Sequence, residues 1–339
     1  MKILLDVMSG DNAPLALLRG AEMAVKAFDV SLVLIGDEQV IKSCQTENQI
    51  DLSSARIEFV HAASVIGMED HALSVVREKN DSSMAIGLKM LAEGEGDAFV
   101  SAGNTGALHA GSTLIVRRIK GVNKSALAMV MPYKKPTLLM DCGANLELKP
   151  INYTQFAKIG TVYMKNILGI EAPTVGLLNN GAEKTKGSRA LQEAYEALEA
   201  VEGIHFIGNV EGKELPFGAC DVLVTDGFTG NIVLKLTEGC GAYMMERVKG
   251  VLLANPLTKA SAMLLKPGLK KMKHDFDASE YGGAPLLGLS KPVIKAHGSS
   301  DAKAILNAVR QAMSCVQSGI TYEIAALIAS ETAENQAQP

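Results

Sequence analysis

Short apolar runs alternate with helix-length amphipathic segments along most of the chain. The runs near 2–8, 31–36, 56–61, 97–101, 126–131, 137–141, 174–178, 205–208, 221–225 and 292–295 have strand length. The segments near 14–28, 37–46, 82–93, 104–118, 151–168, 188–201, 229–250 and 301–319 have helical spacing. This βαβα rhythm predicts an α/β fold with a doubly wound, mostly parallel sheet. The two neighbouring runs near 126–141, joined by Pro132-Tyr133-Lys134-Lys135-Pro136, break the rhythm. They read as a hairpin or a sheet edge, where proline is tolerated. No Ser- or Gly-rich linker or internal repeat appears, so residues 1–330 read as one compact unit, with room for two lobes. The polar end, 331–339, reads as a disordered tail.

The strand ends share a grammar. Val222-Leu223-Val224 runs into Thr225-Asp226-Gly227-Phe228-Thr229-Gly230-Asn231. Ile3-Leu4-Leu5 leads to Met8-Ser9-Gly10-Asp11-Asn12. Phe99-Val100 leads to Ser101-Ala102-Gly103-Asn104-Thr105-Gly106, and Val175-Gly176-Leu177-Leu178 to Asn179-Asn180-Gly181. In open α/β sheets, ligands bind beyond the carboxyl ends of strands. Four such ends predict one shared polar crevice and an anionic ligand, because glycine-rich turns free backbone N–H groups at helix starts. Taken singly, each is an ordinary βα turn with a capped helix.

Composition narrows the function classes. The chain has 339 residues and is 47% hydrophobic, enough for one large core. Aromatics are only 4%, tryptophan is absent and the net charge is −4, which disfavours nucleic acid as a partner. The five cysteines (44, 142, 220, 240 and 315) are scattered without a CxxC pair, and read as reduced thiols of a cytoplasmic protein. The start, Met1-Lys2-Ile3-Leu4-Leu5-Asp6, is charged too early for a signal peptide. No run of about 18 apolar residues offers a bilayer span. No GxGxxG or GxxxxGK[ST] is present, so a nucleotide has no motif, and no metal or other cofactor is expected. Glu69-Asp70-His71 and Asp81-Ser82-Ser83 lack the spacing of a metal site.

The segment 247–276 stands apart as a protruding, basic, amphipathic helical element. Between Glu246 and Asp275 it carries Arg247, Lys249, Lys259, Lys266, Lys270, Lys271 and Lys273 and no acidic residue. Basic and apolar together, its 252–274 stretch reads either as a rest on an anionic membrane surface or as a helical hairpin against a partner subunit. Two turns add polar candidates. Gly181-Ala182-Glu183-Lys184-Thr185-Lys186-Gly187 offers lysines suited to phosphate or a developing oxyanion. Lys295-Ala296-His297-Gly298-Ser299-Ser300-Asp301 offers His297 as a proton or hydrogen-bond donor and Ser299 as a hydroxyl. Asp226 reads as a general base, a cation ligand or a helix cap. Tyr281-Gly282-Gly283-Ala284-Pro285-Leu286-Leu287-Gly288 reads as an apolar loop bordering a channel, or a tight turn. Cys142 lacks an adjacent base and reads as buried.

These blocks, with Val65-Ile66-Gly67-Met68-Glu69-Asp70, Asp141-Cys142-Gly143-Ala144-Asn145 and Phe206-Ile207-Gly208-Asn209-Val210-Glu211-Gly212, resemble the phosphate acyltransferase family of bacterial phospholipid synthesis (PlsX) over about residues 1–320 in order. The family usually has a glycine at Ser9 and often a valine at Cys142. Loop 181–186 departs from the family's acidic, glycine-rich loop at Ala182 and Lys184. The resemblance implies an isocitrate-dehydrogenase-like or phosphotransacetylase-like fold and a homodimer attached peripherally to the inner membrane face. It implies acyl transfer from acyl carrier protein to inorganic phosphate, with a glycerol-3-phosphate acyltransferase as downstream partner.

On that reading Lys184, Asp226 and His297 are catalytic, with Lys184 and Asp226 acting together. Phosphate and the acyl group meet Gly10, Asp11, Asn12, Gly103, Asn104, Thr105, Gly106, Asn179, Asn209, Thr229, Asn231 and Ser299. Three rivals remain at this level. Phosphate transfer on coenzyme A thioesters differs only in the thiol carrier. A β-decarboxylating dehydrogenase needs a metal aspartate cluster, which is not visible. A membrane-attached scaffold leaves the polar strand ends unexplained.

Overall fold

A computed structural model of the chain describes residues 1–275 and 282–337. Its centre is an eleven-stranded sheet in the order β3-β2-β1-β4-β11-β10-β5-β6-β9-β7-β8. In chain order the strands are β1 (Lys2–Asp6), β2 (Ser31–Gly36), β3 (Ile57–His61), β4 (Ala98–Ser101), β5 (Ala126–Met131) and β6 (Thr137–Met140). They continue with β7 (Thr174–Asn179), β8 (His205–Glu211), β9 (Val222–Val224), β10 (Ala284–Leu287) and β11 (Val293–Lys295). The helices are α1 (Leu15–Ala27), α2 (Glu38–Asn48), α3 (Ser83–Glu93), α4 (Thr105–Gly111), α5 (Pro150–Leu168) and α6 (Arg189–Glu199). The remaining four are α7 (Gly227–Leu252), α8 (Pro256–Asp275), α9 (Ala302–Gln317) and α10 (Ile320–Ala337).

Apart from the edge strands β3 and β8, the strands are buried on both faces, which is why they read as continuous apolar runs. One face is covered by α1, α5, α6, α9 and α10, and the other by α3, α4 and the start of α7 through Leu234. Helix starts are fixed by side-chain caps: Asp37, Ser82, Asn104, Ser188, Asp226 and Asp301 each accept a backbone N–H of their own first turn.

Strand direction corrects the expectation of a single crevice shared by four like strand ends. β1, β2, β3, β4 and β11 are parallel, and so are β6, β7, β8 and β9. Between the two sets lie three successive antiparallel joins: β11–β10, β10–β5 and β5–β6. An odd number of reversals makes the two sets run in opposite directions, so their carboxyl ends lie at opposite ends of the sheet. The β5–β6 pair is the expected hairpin, but it sits inside the sheet. Its prolines lie in the turn, outside both strands. β10 falls where an apolar loop is expected, because its register partners are β11 and β5.

α7 and α8 pack on each other and project from the sheet, with Pro256 at the start of α8 and Pro267 inside it. Residues 276–281, which hold the last residue of the 247–276 segment and Tyr281 of the glycine-rich loop, fall outside the described residues. α10 continues to Ala337, through most of the stretch read as a tail.

Candidate active site

At one end of the sheet the turns after β1, β4 and β11 lock into each other. Asp6 is buried at the end of β1, where it accepts the Ser101 hydroxyl at 2.7 Å and the Met8 N–H at 3.2 Å. Ser101 Oγ in turn accepts the Gly103 N–H at 3.1 Å. The Asp11 N–H donates to the Gly298 carbonyl at 2.8 Å, and Asn12 Nδ2 to the Ser299 and Ser300 carbonyls at 3.0 and 3.2 Å. Gly10 makes this closeness possible. It adopts φ +111°, and a Cβ there would lie 3.0 Å from both Ala102 Cβ and the Gly298 carbonyl oxygen. Gly10, Asp11, Asn12, Gly103, His297 and Ser299 are therefore brought together. Thr105 and Gly106 follow at the start of α4, half-buried and exposed. Asn104 is committed elsewhere. Its Oδ1 caps the Ala107 N–H, and its Nδ2 donates to the Met68 and Asp70 carbonyls at 2.9 and 3.1 Å.

α7 carries the second half of the molecule to this place. It starts beside the other sheet end, and Lys235, about 12 Å along its axis at 1.5 Å per residue, puts its Nζ 3.3 Å from His297 Nε2. Two residues further the Thr237 hydroxyl meets the Tyr133 hydroxyl of the β5–β6 turn at 3.1 Å. Lys235 also pairs with Glu238 at 2.9 Å. His297 is held by the Ser299 hydroxyl at 2.9 Å on Nδ1. Loss of water around the ring, with the Lys235 charge beside it, keeps its pKa below the ordinary imidazole value. Lys295 lies behind it, 8% exposed, with Nζ donating to the Ala102 and Ala296 carbonyls.

The opposite sheet end is built around Asp141. Its buried carboxylate accepts N–H groups from Leu127, Gly143, Ala144 and Asn145 and the Asn145 amide, at 2.7 to 3.1 Å. Gly227 and Gly230 of α7 press on this loop; the Gly227 N–H donates to the Asn145 carbonyl at 2.7 Å. Asp226 caps α7, accepting the Thr229 N–H and hydroxyl at 2.8 Å each. Burial pushes the neighbouring Tyr153 phenol up to about 12, with the Asp226 charge adding to it. Asn231 is exposed on the next turn. Asn179 and Asn209 bond each other at 3.1 Å and hold the 183–186 backbone through the Lys186 and Glu183 carbonyls. Lys184, exposed on that loop, pairs with Glu199 and lies 5.4 Å over the Tyr195 ring. The expected Lys184–Asp226 contact is not made: Lys184 is taken by Glu199 at the end of α6, and Asp226 by Thr229 of its own helix.

A family described as a fatty acid synthesis protein matches residues 1–323. A phosphate acyltransferase from Thermoanaerobacter pseudethanolicus is 44% identical over 326 residues, 96% of each chain. One from Alkaliphilus oremlandii is 45% identical over 335 residues, 97% of this chain and 98% of its own. This chain belongs to the phosphate acyltransferase family. As a phosphate acyltransferase it is an acyltransferase enzyme. Its fold is shared with a phosphotransacetylase from Streptococcus pyogenes (TM-score 0.63, 15% identity, 94% of both chains). A 4-hydroxythreonine-4-phosphate dehydrogenase from Klebsiella pneumoniae is also similar (0.56, 12%, 93% and 99%).

Several polar groups of this phosphate acyltransferase escape a reading of the sequence. Lys235 has a faint signal: it lies four residues after Asn231 and eight after Gly227, hence on one helix face. Lys295 ends an apolar strand, where a lysine usually marks the way out to solvent. Asp6 reads as the end of a strand, and nothing local reveals that Ser101, far along the chain, is its partner.

Proposed function

We propose that this phosphate acyltransferase takes a fatty acyl group from acyl carrier protein and joins it to inorganic phosphate for phospholipid synthesis. The observation that carries this reading is the meeting of the turns after β1, β4 and β11 beneath Lys235 of α7. It gathers backbone donors, hydroxyls and cations around a space suited to a small oxyanion. Phosphate lies over Gly10 and Gly103, with Asp11, Asn12, Thr105, Gly106, His297 and Ser299 around it. The thioester lies along the first turns of α7, past Thr229 and Asn231. Phe228, Ile232 and Leu236 follow one another there at i, i+4 spacing, 60%, 50% and 63% exposed, and offer the acyl chain an apolar edge.

A phosphate oxygen attacks the carbonyl carbon, the C–O bond forms and the C–S bond breaks. The proton of hydrogen phosphate passes to the departing thiolate, so acyl phosphate and free carrier thiol result. Asp226 and Lys184 stand at the opposite sheet end, so their part requires the lobe that carries them to close along α7 onto the seat; once closed, Asp226 orients or relays that proton, and Lys184 meets the developing oxyanion. Lys184's present partner Glu199 is exposed, and exposed ion pairs contribute little, so the switch of partner costs little. Asn179 and Asn209 shape the loop that carries Lys184. The rate comes from holding both reactants together and from donors aimed at the tetrahedral oxygen.

No covalent enzyme intermediate is required. Cys142 is buried, donates to the Leu127 carbonyl, and burial holds its thiol well above the ordinary value. Cys142→Ala is expected to keep near-normal turnover; a dead but folded variant contradicts direct attack.

The acidic carrier protein docks on Arg117, Arg118, Lys120 and Lys124, beside the turn between β10 and β11, where the Arg117 carbonyl accepts the Ser290 N–H and the Ile119 N–H donates to the Gly288 carbonyl. Reversing the charge of Arg117 and Arg118 is expected to raise KM for the carrier substrate about tenfold or more, in line with loss of a steering patch. An unchanged KM removes this patch from the account.

Among the described residues no single helix is long and apolar enough to cross a membrane. The α7–α8 pair exposes Tyr243, Met244, Val251, Leu253, Met263 and Leu265 beside Arg247, Lys249, Lys259 and Lys266. That mixture supports peripheral contact with an anionic membrane at the cytoplasmic face and a homodimer built through the same projection. Acyl phosphate formed there can pass to a membrane glycerol-3-phosphate acyltransferase. The test is phosphate-dependent release of free thiol from palmitoyl carrier protein, with palmitoyl coenzyme A as a second arm. Release independent of phosphate overturns the reading.

A further inference from the structure

Lys295 is a buried cation that the reaction scheme above leaves unused. Its side chain leaves the end of β11 and turns inward beneath the three interlocked turns. Two of its three donors reach the Ala102 and Ala296 carbonyls, one in the turn after β4 and one in its own. Among the described residues it has no carboxylate within ion-pair distance. Asp6 from β1 and Asp11 from the turn after it face it and favour its charge. Lys235 from α7, itself paired with Glu238, opposes it. The Asp6 carboxylate, which favours that charge more than Asp11 does, is occupied by Ser101 and the Met8 N–H.

An ammonium held this deeply without an ion-paired partner is expensive, and an apolar residue could end β11 at lower cost. Two further groups in the same turns lack partners. The hydroxyls of Ser9 and Ser300 are buried, the residues 2% and 6% exposed, and neither has a hydrogen-bond partner among the described residues. Ser9 faces Gly103: its Oγ lies 3.1 Å from where a Cβ on that glycine would sit. A surplus buried cation and two orphan buried hydroxyls, on turns fastened to each other, describe a site with an anion missing.

We propose that Lys295 is the buried counter-charge of the phosphate seat: it clamps the turns after β4 and β11 and holds its charge and last donor beneath the bound phosphate, beside Ser9 and Ser300. This rests on phosphate being the acyl acceptor. Lys235 then closes the seat from above, and the two lysines hold phosphate between lobes that run in opposite directions.

Burial and Lys235 bring the Lys295 ammonium down to about 8. The cation is complete below that value and is lost as pH rises through it, so phosphate binding weakens on the alkaline side. His297, held below the ordinary imidazole value, is already neutral there and does not produce this limb.

The experiment measures KM for inorganic phosphate and for palmitoyl carrier protein from pH 6.5 to 9.5 with the full-length enzyme. For the wild type, KM for phosphate is expected to turn upward near pH 8, approaching a tenfold rise per unit, while KM for the carrier substrate stays flat. Lys295→Arg, always charged, is expected to retain phosphate binding and lose the upturn. Lys295→Met is expected to raise KM for phosphate at least tenfold at pH 7 and leave the carrier KM unchanged. An upturn that persists in Lys295→Arg, or no upturn in the wild type, overturns the proposal. Those two arms decide it even if the methionine variant fails to fold. Wild-type thiol release that ignores phosphate at every pH defeats instead the reading of phosphate as acceptor.

Discussion

Lys184→Ala is expected to lower phosphate-dependent thiol release at least about a hundredfold, the usual consequence of losing one oxyanion donor. The loop that carries Lys184 is anchored through the Asn179 and Asn209 side chains to the Glu183 and Lys186 carbonyls, so the truncation leaves its backbone in place. The ion pair with Glu199 joins two exposed side chains and contributes little to stability. The loss therefore appears in kcat, with an unchanged denaturation midpoint. Glu199→Gln removes the resting partner alone and is expected to leave turnover within about twofold, as for an ordinary exposed pair. Near-wild-type turnover of a folded Lys184→Ala enzyme removes Lys184 from the reaction and leaves the cationic work to Lys235 and Lys295.

Gly230→Ala is expected to be the most damaging small substitution to the fold. A Cβ at Gly230 would overlap the Asp141 carbonyl oxygen. That oxygen cannot yield easily, because the Asp141 carboxylate fixes the 141–145 loop through five hydrogen bonds from buried or half-buried donors. The Asp141 and Thr225 backbones also bond each other across β6 and β9. Overpacking against an immovable backbone costs about 3 kcal/mol or more. The readout is a lower denaturant midpoint at unchanged m-value. Because Asp226, Thr229 and Asn231 ride on the same turn of α7, activity falls as well. A Gly230→Ala enzyme with an unaltered midpoint contradicts the view that α7 is seated by this contact.

Much of this architecture is legible in the chain because a strand buried on both faces must be apolar throughout. β1, β2, β4, β7 and β9 announce themselves that way, and the polar turns after them stand out by contrast. β10 does not, since Pro285 and the flanking glycines carry turn chemistry, and only pairing with β11 and β5 makes the segment a strand. The same three antiparallel joins decide which polar turns meet, and no local pattern reports strand direction. Gly10, Asp11, Asn12, Gly103, His297 and Ser299 could be named from their residue types. Asn104 could not be told from a ligand group, because its commitment to the Met68 and Asp70 carbonyls depends on how the 67–70 loop folds back over α4. The roles of Lys235 and Lys295 are faint for a related reason: a lysine's value lies in what surrounds its far end, and both ends lie where distant segments cross.

The most direct test of the account mixes the enzyme with palmitoyl carrier protein, first without phosphate and then with it. Intact masses of the enzyme, the carrier and the small-molecule product are followed on quenching. Direct attack predicts an unmodified enzyme and intact thioester until phosphate is added, then free carrier and acyl phosphate in equal amounts. Carrier released before phosphate is present, or an enzyme heavier by one acyl group, contradicts it.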